Sequence, residues 1–238
     1  MPKAFGEWKV LAHGPLHKLS DNLLWVQGAL PGMSLKRVMV VVRLSDGRLL
    51  IHNGIALDDA ERAELESFGT PAFLIVPNGG HRLDAPAYKQ RYPALQVFAP
   101  KGSRERVQQV VNVDGVYEDF PEDDTVRFET LHGVGDSEGA LIVKSSDGLS
   151  VVLNDCMFNM DRKKDPLGFL FTTLLGSAPG PRVSRLAKLA LVKDKPALRA
   201  DFERLADLPG LTRVIVAHEK VASGADARAA LLQAATYL

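Results

Sequence analysis

At four places in this chain an apolar run stops and polar residues able to bind cations or carry protons take over. The run Phe73 to Val76 enters PNGGHRLD, residues 77–84, which holds His81 and Asp84. Thr125 to Thr130 enters LHGVGDSEG, residues 131–139, which holds Asp136. Leu149 to Asn154 ends in Asp155-Cys156, and Arg213 to Ala217 ends in His218-Glu219. Imidazole and carboxylate groups that converge on one point can hold a divalent ion or act as a general acid and base. Taken singly, each has an ordinary explanation: an aspartate at a strand end closes a turn or caps a helix, and a histidine there completes a hydrogen bond. Their recurrence at four junctions points to a site.

These junctions need strands to aim them. Asn22 to Gln27, Arg37 to Leu44 and Arg48 to Asn53 are short runs rich in Val, Ile and Leu, the last two joined by the turn Ser45-Asp46-Gly47. A helix is expected after Asp58 or Asp59, carrying Ala60, Ala63, Leu65 and Phe68. Helices are also expected over Ala85 to Arg91, from Ser103, and over Asp226 to Tyr237, with strands at Leu95 to Ala99 and at Ala140 to Lys144. Two halves that each mix antiparallel strands with helices imply two sheets packed face to face with helices outside. The chain is read as one domain over 1–238, with a helical insertion at about 161–195.

Composition narrows the classes. Of 238 residues, 46% are hydrophobic, enough for a sizeable core. Twenty-nine basic residues balance 29 acidic ones, which speaks against a nucleic-acid partner held by bulk positive charge. One cysteine, Cys156, excludes a disulfide scaffold and a cysteine-rich zinc module. Neither an apolar signal segment at the N-terminus nor a spanning stretch is seen, so a cytoplasmic protein without a membrane partner is expected. The partner expected is a small molecule of unknown type, and the oligomeric state is not read.

The order and character of the four junctions resemble the metallo-β-lactamase superfamily, an αββα sandwich of duplicated halves. That family carries metal ligands on an HxHxDH loop after a strand, then a GHTxG-like loop, a strand ending in Asp and a final strand ending in His. PNGGHRLDA, GDSEGA, VVLNDC and VIVAHE stand in those places here, and LLIHNG resembles a family strand with His52 where an aspartate is usual. The likeness runs from about Asn22 to the C-terminus. With His81 on the second histidine of the first loop, Gly79 takes the first, Leu83 the aspartate and Asp84 the last histidine. Asp136 falls on the histidine of the second loop, Asp155 on the metal-bridging aspartate and His218 on the final histidine. One site would then keep His81, Asp136 and Asp155, the other Asp84, Asp155 and His218. A shifted register, with Asn78 on the first histidine and His81 out of frame, stays open.

Leu83 and the side-chain position of Gly79 offer no donor atom, so at most one well-formed site is expected, or none. The resemblance implies a four-layer α/β (α+β) sandwich and, where active, hydrolysis of an ester, thioester, amide or phosphoester by water activated on one divalent ion, Zn, Mn or Fe. His81, Asp136, Asp155 and His218 would hold that ion. Asp155 would also accept a proton, and Asp84 would serve as a further ligand or second catalytic carboxylate. Specificity would sit in the 161–195 stretch.

Two other readings compete. A fold can outlive its chemistry, and the same residues could form a hydrogen-bonded network in a ligand- or partner-binding module, with Arg82 and Lys220 as counter-ions. Residues 135–139 also fit G-x-S-x-G, and Ser137, Asp155 and His218 follow the serine-hydrolase order, although that motif needs a helix after the serine and a strand is expected there. Cys156 is read as a buried hydrophobe, His13 and His17 as structural or solvated, and Trp8 and Trp25 as anchors. Arg162, Lys163 and Lys164 read as a solvated loop, or with Arg182, Arg185 and Lys188 as a basic rim.

Overall fold

Val38 to Val42 is a run of five apolar residues, all buried. A strand with no polar alternation needs apolar cover on both faces. The computed structural model, which describes residues 3–238, provides it. The chain begins β1 (His17–Ser20), β2 (Leu23–Leu30), β3 (Met33–Arg43), β4 (Arg48–His52), α1 (Asp59–Phe68), β5 (Thr70–Ile75), α2 (Ala85–Arg91) and β6 (Gln96–Ala99). It continues α3 (Arg104–Gln108), β7 (Gly115–Val116), β8 (Val126–Thr130), β9 (Gly139–Ser145), β10 (Gly148–Leu153), α4 (Pro166–Phe169) and α5 (Arg185–Ala190). It closes with α6 (Lys195–Ala206), β11 (Leu211–Val216), β12 (Val221–Ser223) and α7 (Ala225–Ala235).

Strands β1 to β7 form a seven-stranded sheet in sequence order, and β12-β11-β10-β9-β8 form a five-stranded one. The inner faces meet through Val38, Val40, Val42, Phe73 and Ile75 on one side and Leu141, Val143, Val152 and Ile215 on the other. Met39 and Val41 point the opposite way, into a layer with Leu65 of α1, Tyr88 of α2 and Val107 of α3. The outer face of the small sheet lies under Ala187, Leu198, Phe202, Ala227 and Leu231. Three apolar layers between four layers of secondary structure make the αββα sandwich. Burial of this kind stabilises by about 1.5–3 kcal/mol for each large aliphatic side chain.

The register brings the four junctions to one edge. Strands β4, β5 and β6 run parallel, with His52 opposite Ile75, so Asn53 and the 77–84 loop leave the large sheet together. In the small sheet β10 and β11 also run parallel, Leu153 opposite Val216, and Asp155 and His218 emerge side by side. Carboxyl ends of parallel strands are where such folds bind ligands. A backbone bond ties the two sheets here, from Val38 N–H to the Ala217 carbonyl at 2.8 Å.

Asp58 caps α1 by accepting from the amides of Ala60 and Glu61, and the Asp46-Gly47 turn joins β3 to β4, Gly47 taking φ 84°. Ser103 departs from expectation. It closes a 3₁₀ turn over Lys101–Ser103, and its hydroxyl donates to the Ser137 carbonyl at 2.8 Å instead of capping α3. The short edge strands β1, β7 and β12 lie outside the runs read from sequence. The 161–195 stretch contains α4, a π-helical turn over Leu170–Leu174 and α5. No helix among the described residues is long and apolar enough to cross a membrane.

Candidate metal centre

Three of the expected residues converge. His81, Asp155 and His218 each offer a ligand atom, and these atoms lie within 4.8 Å of one another. His81 Nε2 is 3.1 Å and His218 Nε2 3.3 Å from Asp155 Oδ1. The second nitrogen of each ring is already committed. His218 Nδ1 sits 2.9 Å from the Lys36 carbonyl of β3, and His81 Nδ1 sits 3.1 Å from Asn53 Oδ1. The Asn53 amide in turn donates to the Val38 carbonyl at 2.7 Å. The His218 ring is stacked on Phe158, centroids 5.6 Å apart at 19°. A ring whose Nδ1–H donates to an oxygen presents the Nε2 lone pair, which is how ligating histidines are oriented.

That arrangement is the test of fit. Two Nε2 lone pairs facing one carboxylate oxygen repel unless a cation lies among them. A divalent ion meets the requirement, and so does a proton on one ring. Burial alone would raise the Asp155 carboxyl, but His81 and His218 beside it hold it well below the usual range. Burial pulls His218 down, while its contact with Asp155 outweighs this and raises it. Two imidazoles and one carboxylate are a known ligand set for zinc or a first-row divalent ion with open positions for water and substrate.

Asp136 lies outside this cluster. It stands exposed on a turn where Gly135 and Asp136 are both left-handed, φ 57° and 56°, and its carbonyl accepts from Gly102 N–H. The residue of this loop that turns inward is Glu138, which sequence reasoning missed. Fully buried, it accepts from the side-chain amides of Asn78 and Asn154 and from the backbone amides of Asp155 and Cys156, the last at 2.8 Å. Desolvation, and next the charge of Asp155, push its carboxyl up to about 7. Asn78 also donates to Asp155 Oδ2 at 2.9 Å, so the first loop reaches the aspartate through an amide as well as through His81.

Asp84 is held apart as well. It is buried against Arg37 of β3, which sequence reasoning read only as a strand residue, and it accepts weakly from Ala56 N–H. The counter-ions expected for the acidic residues go elsewhere. Arg82 donates to the Arg106 carbonyl and Gln109, and Lys220 pairs with Asp161. Ser137 donates only weakly, to the Gly135 carbonyl at 3.5 Å. Both nitrogens of His218 are engaged with Asp155 and Lys36, and strand β9 follows the serine where an elbow needs a helix. His52 is buried, and desolvation pushes it down to about 3, so it is neutral. Cys156 is fully buried; its thiol is pushed up by burial. His13 accepts from Asp58 N–H, His17 stacks on Trp25, and Trp8 donates to the Leu57 carbonyl. No local sequence signal marks Glu138 or Arg37, because each is recruited by a partner far along the chain.

A cleft of about 190 Å³ opens over the three ligand atoms. Its walls are mainly apolar, with Leu30, Met33, Leu35, Leu83 and Phe171, and Arg37 and Asn53 supply the polar part beyond the cluster.

With this geometry the fold is the metallo-β-lactamase-like one. No family model and no curated protein matches the sequence. Among solved structures, the crystal structure of the DIM-1 metallo-β-lactamase exposed to ceftazidime aligns with a TM-score of 0.64 over 96% of this chain and 98% of that chain, at 10% identity. At that identity the likeness carries the fold and no activity.

Proposed function

We propose that this protein is a hydrolase that uses one divalent ion, held by His81, Asp155 and His218, against a small acyl compound such as an ester, thioester or amide. One observation carries the reading: both Nε2 atoms face the Asp155 carboxylate while both Nδ1 atoms are fixed by oxygen acceptors. A divalent ion bound there supplies Lewis acidity and lowers the pKa of a coordinated water. Asp155 would hold the ion together with His81 and His218 and would accept a proton from the water, and its Oδ2 is held by the Asn78 amide. Glu138 fixes the backbone that carries Asp155. Arg37 and Asp84 brace the loop that carries His81. The apolar walls favour an uncharged acyl group over a phosphoester, which would want more than one cation.

The test is metal content by inductively coupled plasma mass spectrometry on protein purified without chelator, followed by a screen of chromogenic esters and thioesters. Near one equivalent of Zn, Mn or Fe, lost in Asp155→Ala and in His218→Ala, is expected. Metal-free protein whose melting temperature ignores both chelator and added ions refutes the proposal. That outcome favours a binding module with a proton between Asp155 and His218, a reading supported by the raised pKa of His218.

A further inference from the structure

Charge is segregated in this neutral chain. Residues 162–193 contain seven basic residues and one acidic residue, Asp165, a net of +6 that leaves the remainder at −6. Exposed apolar side chains collect in the same stretch. Leu167, Phe169, Leu170, Leu174, Leu186 and Leu189 are exposed, Leu189 at 84% and Leu174 at 54%, and Val10 is the one other large exposed hydrophobic among the described residues. The pieces adjoin. Arg185 N–H donates to the Leu175 carbonyl at 2.9 Å, which sets the start of α5 against the end of the π-helical turn. Lys163 N–H donates to Thr172 Oγ1 at 3.0 Å, which ties the irregular 162–164 segment to that turn. Arg162, Lys164 and Lys193 are exposed and make no ion pair among the described residues.

Isolated surface leucines need no explanation, but a contiguous apolar patch rimmed by one sign of charge does. We infer that this face docks on an anionic lipid bilayer, its leucines and phenylalanine entering the interface while Arg162, Lys164 and Arg185 meet the headgroups. Basic and apolar side chains on one short helical surface are the composition of interfacial segments, and anionic lipids attract each cation near the surface. A symmetric contact with a second copy would press +6 against +6, which opposes it. Phe171, in the same turn as Leu170 and Leu174, also lines the cleft over the histidines, so docking brings the cleft wall to the interface. The inference stands independently of the hydrolase proposal.

The experiment is co-sedimentation of the full chain with vesicles of phosphatidylcholine alone or with phosphatidylserine added, at low salt and at physiological ionic strength. Binding is expected only with phosphatidylserine and is expected to weaken with salt. Arg162→Gln/Lys164→Gln should lower vesicle affinity about 25-fold, at about fivefold for each cation. Leu174→Ser/Leu189→Ser should abolish binding, and both variants should melt as the wild type does because all four side chains are solvent-facing or nearly so. Absence of phosphatidylserine-dependent binding, or binding that both variants retain, overturns the inference. So does a dimer, seen by light scattering, that Leu174→Ser/Leu189→Ser dissociates while vesicles bind neither protein.

Discussion

Replacing Asp84 by alanine strands the guanidinium of Arg37 inside the fold. Arg37 is 3% exposed and Asp84 1%. Arg37 Nε reaches the Ala29 carbonyl at 3.2 Å, Nη1 meets Asp84, and Nη2 has no partner among the described residues. Breaking a buried pair from one side costs about 3–5 kcal/mol, because the remaining charge is uncompensated. At about 2–4 °C per kcal/mol for a chain of this size, the melting temperature should fall by about 6–20 °C. The opposite deletion, Arg37→Met, should cost less. Burial already pushes the Asp84 carboxyl upward against the pull of Arg37, so it can take a proton, whereas a guanidinium cannot release one. The double variant Arg37→Met/Asp84→Leu should lie between neutral and about 1–4 kcal/mol more stable, since neither desolvation penalty remains. Urea unfolding at neutral pH, followed by circular dichroism, measures all three. An Asp84→Ala variant of near wild-type stability, or an Arg37→Met loss equal to it, refutes the reasoning. Asp84→Asn separates bracing from ligation: metal stoichiometry should survive it, and its loss would make Asp84 a ligand.

Asp136→Gly should leave metal content unchanged and stabilise the protein slightly, because glycine suits φ 56° better; loss of the ion in mass spectrometry counts against the three-residue centre. Glu138→Gln sets an amide donor among four donors and should cost about 1–3 kcal/mol in urea unfolding while weakening metal uptake. In metal-free protein Asp155, held low, contributes stability above its unfolded value of 3.8 that is lost as pH falls. His218, held high, contributes stability fully present below 6.5 and lost as pH rises through its folded value, so His218→Ala should flatten the alkaline side of a stability profile. Metal affinity should follow the opposite course and fall on acidification, because protons compete for both imidazoles, as titration calorimetry across pH would show.

Strand ends were the legible part of the site. Asp155 and His218 terminate parallel apolar runs, and β10 beside β11 leaves them nowhere to go but one edge. The apolar run within Arg37 to Leu44 was legible as a strand, and its hairpin with the next strand followed from the Asp46-Gly47 turn. The second loop was not legible to the residue. In Gly135-Asp136-Ser137-Glu138-Gly139 two carboxylates sit two positions apart, and the backbone hand at Gly135 and Asp136 decides which faces inward. Arg37 was equally hidden, since its partner lies 47 residues on and a charged residue in a strand reads as an exposed one. The edge strands β1, β7 and β12 are too short for a pattern.

The backbone of β3 over residues 36–38 holds both histidines, through the Lys36 carbonyl for His218 and the Val38 carbonyl by way of Asn53 for His81. Main-chain atoms are the same in every residue type except proline. The exposed side chain at 36 can therefore change without retuning the centre, whereas a substitution at 38, whose side chain is buried between the sheets, would register as lost stability and not as altered histidine orientation. What the centre does record is phase. Deleting a single residue upstream in β3 would swap which carbonyls face the rings, so this pocket is inherited as a position along a ribbon more than as a set of letters.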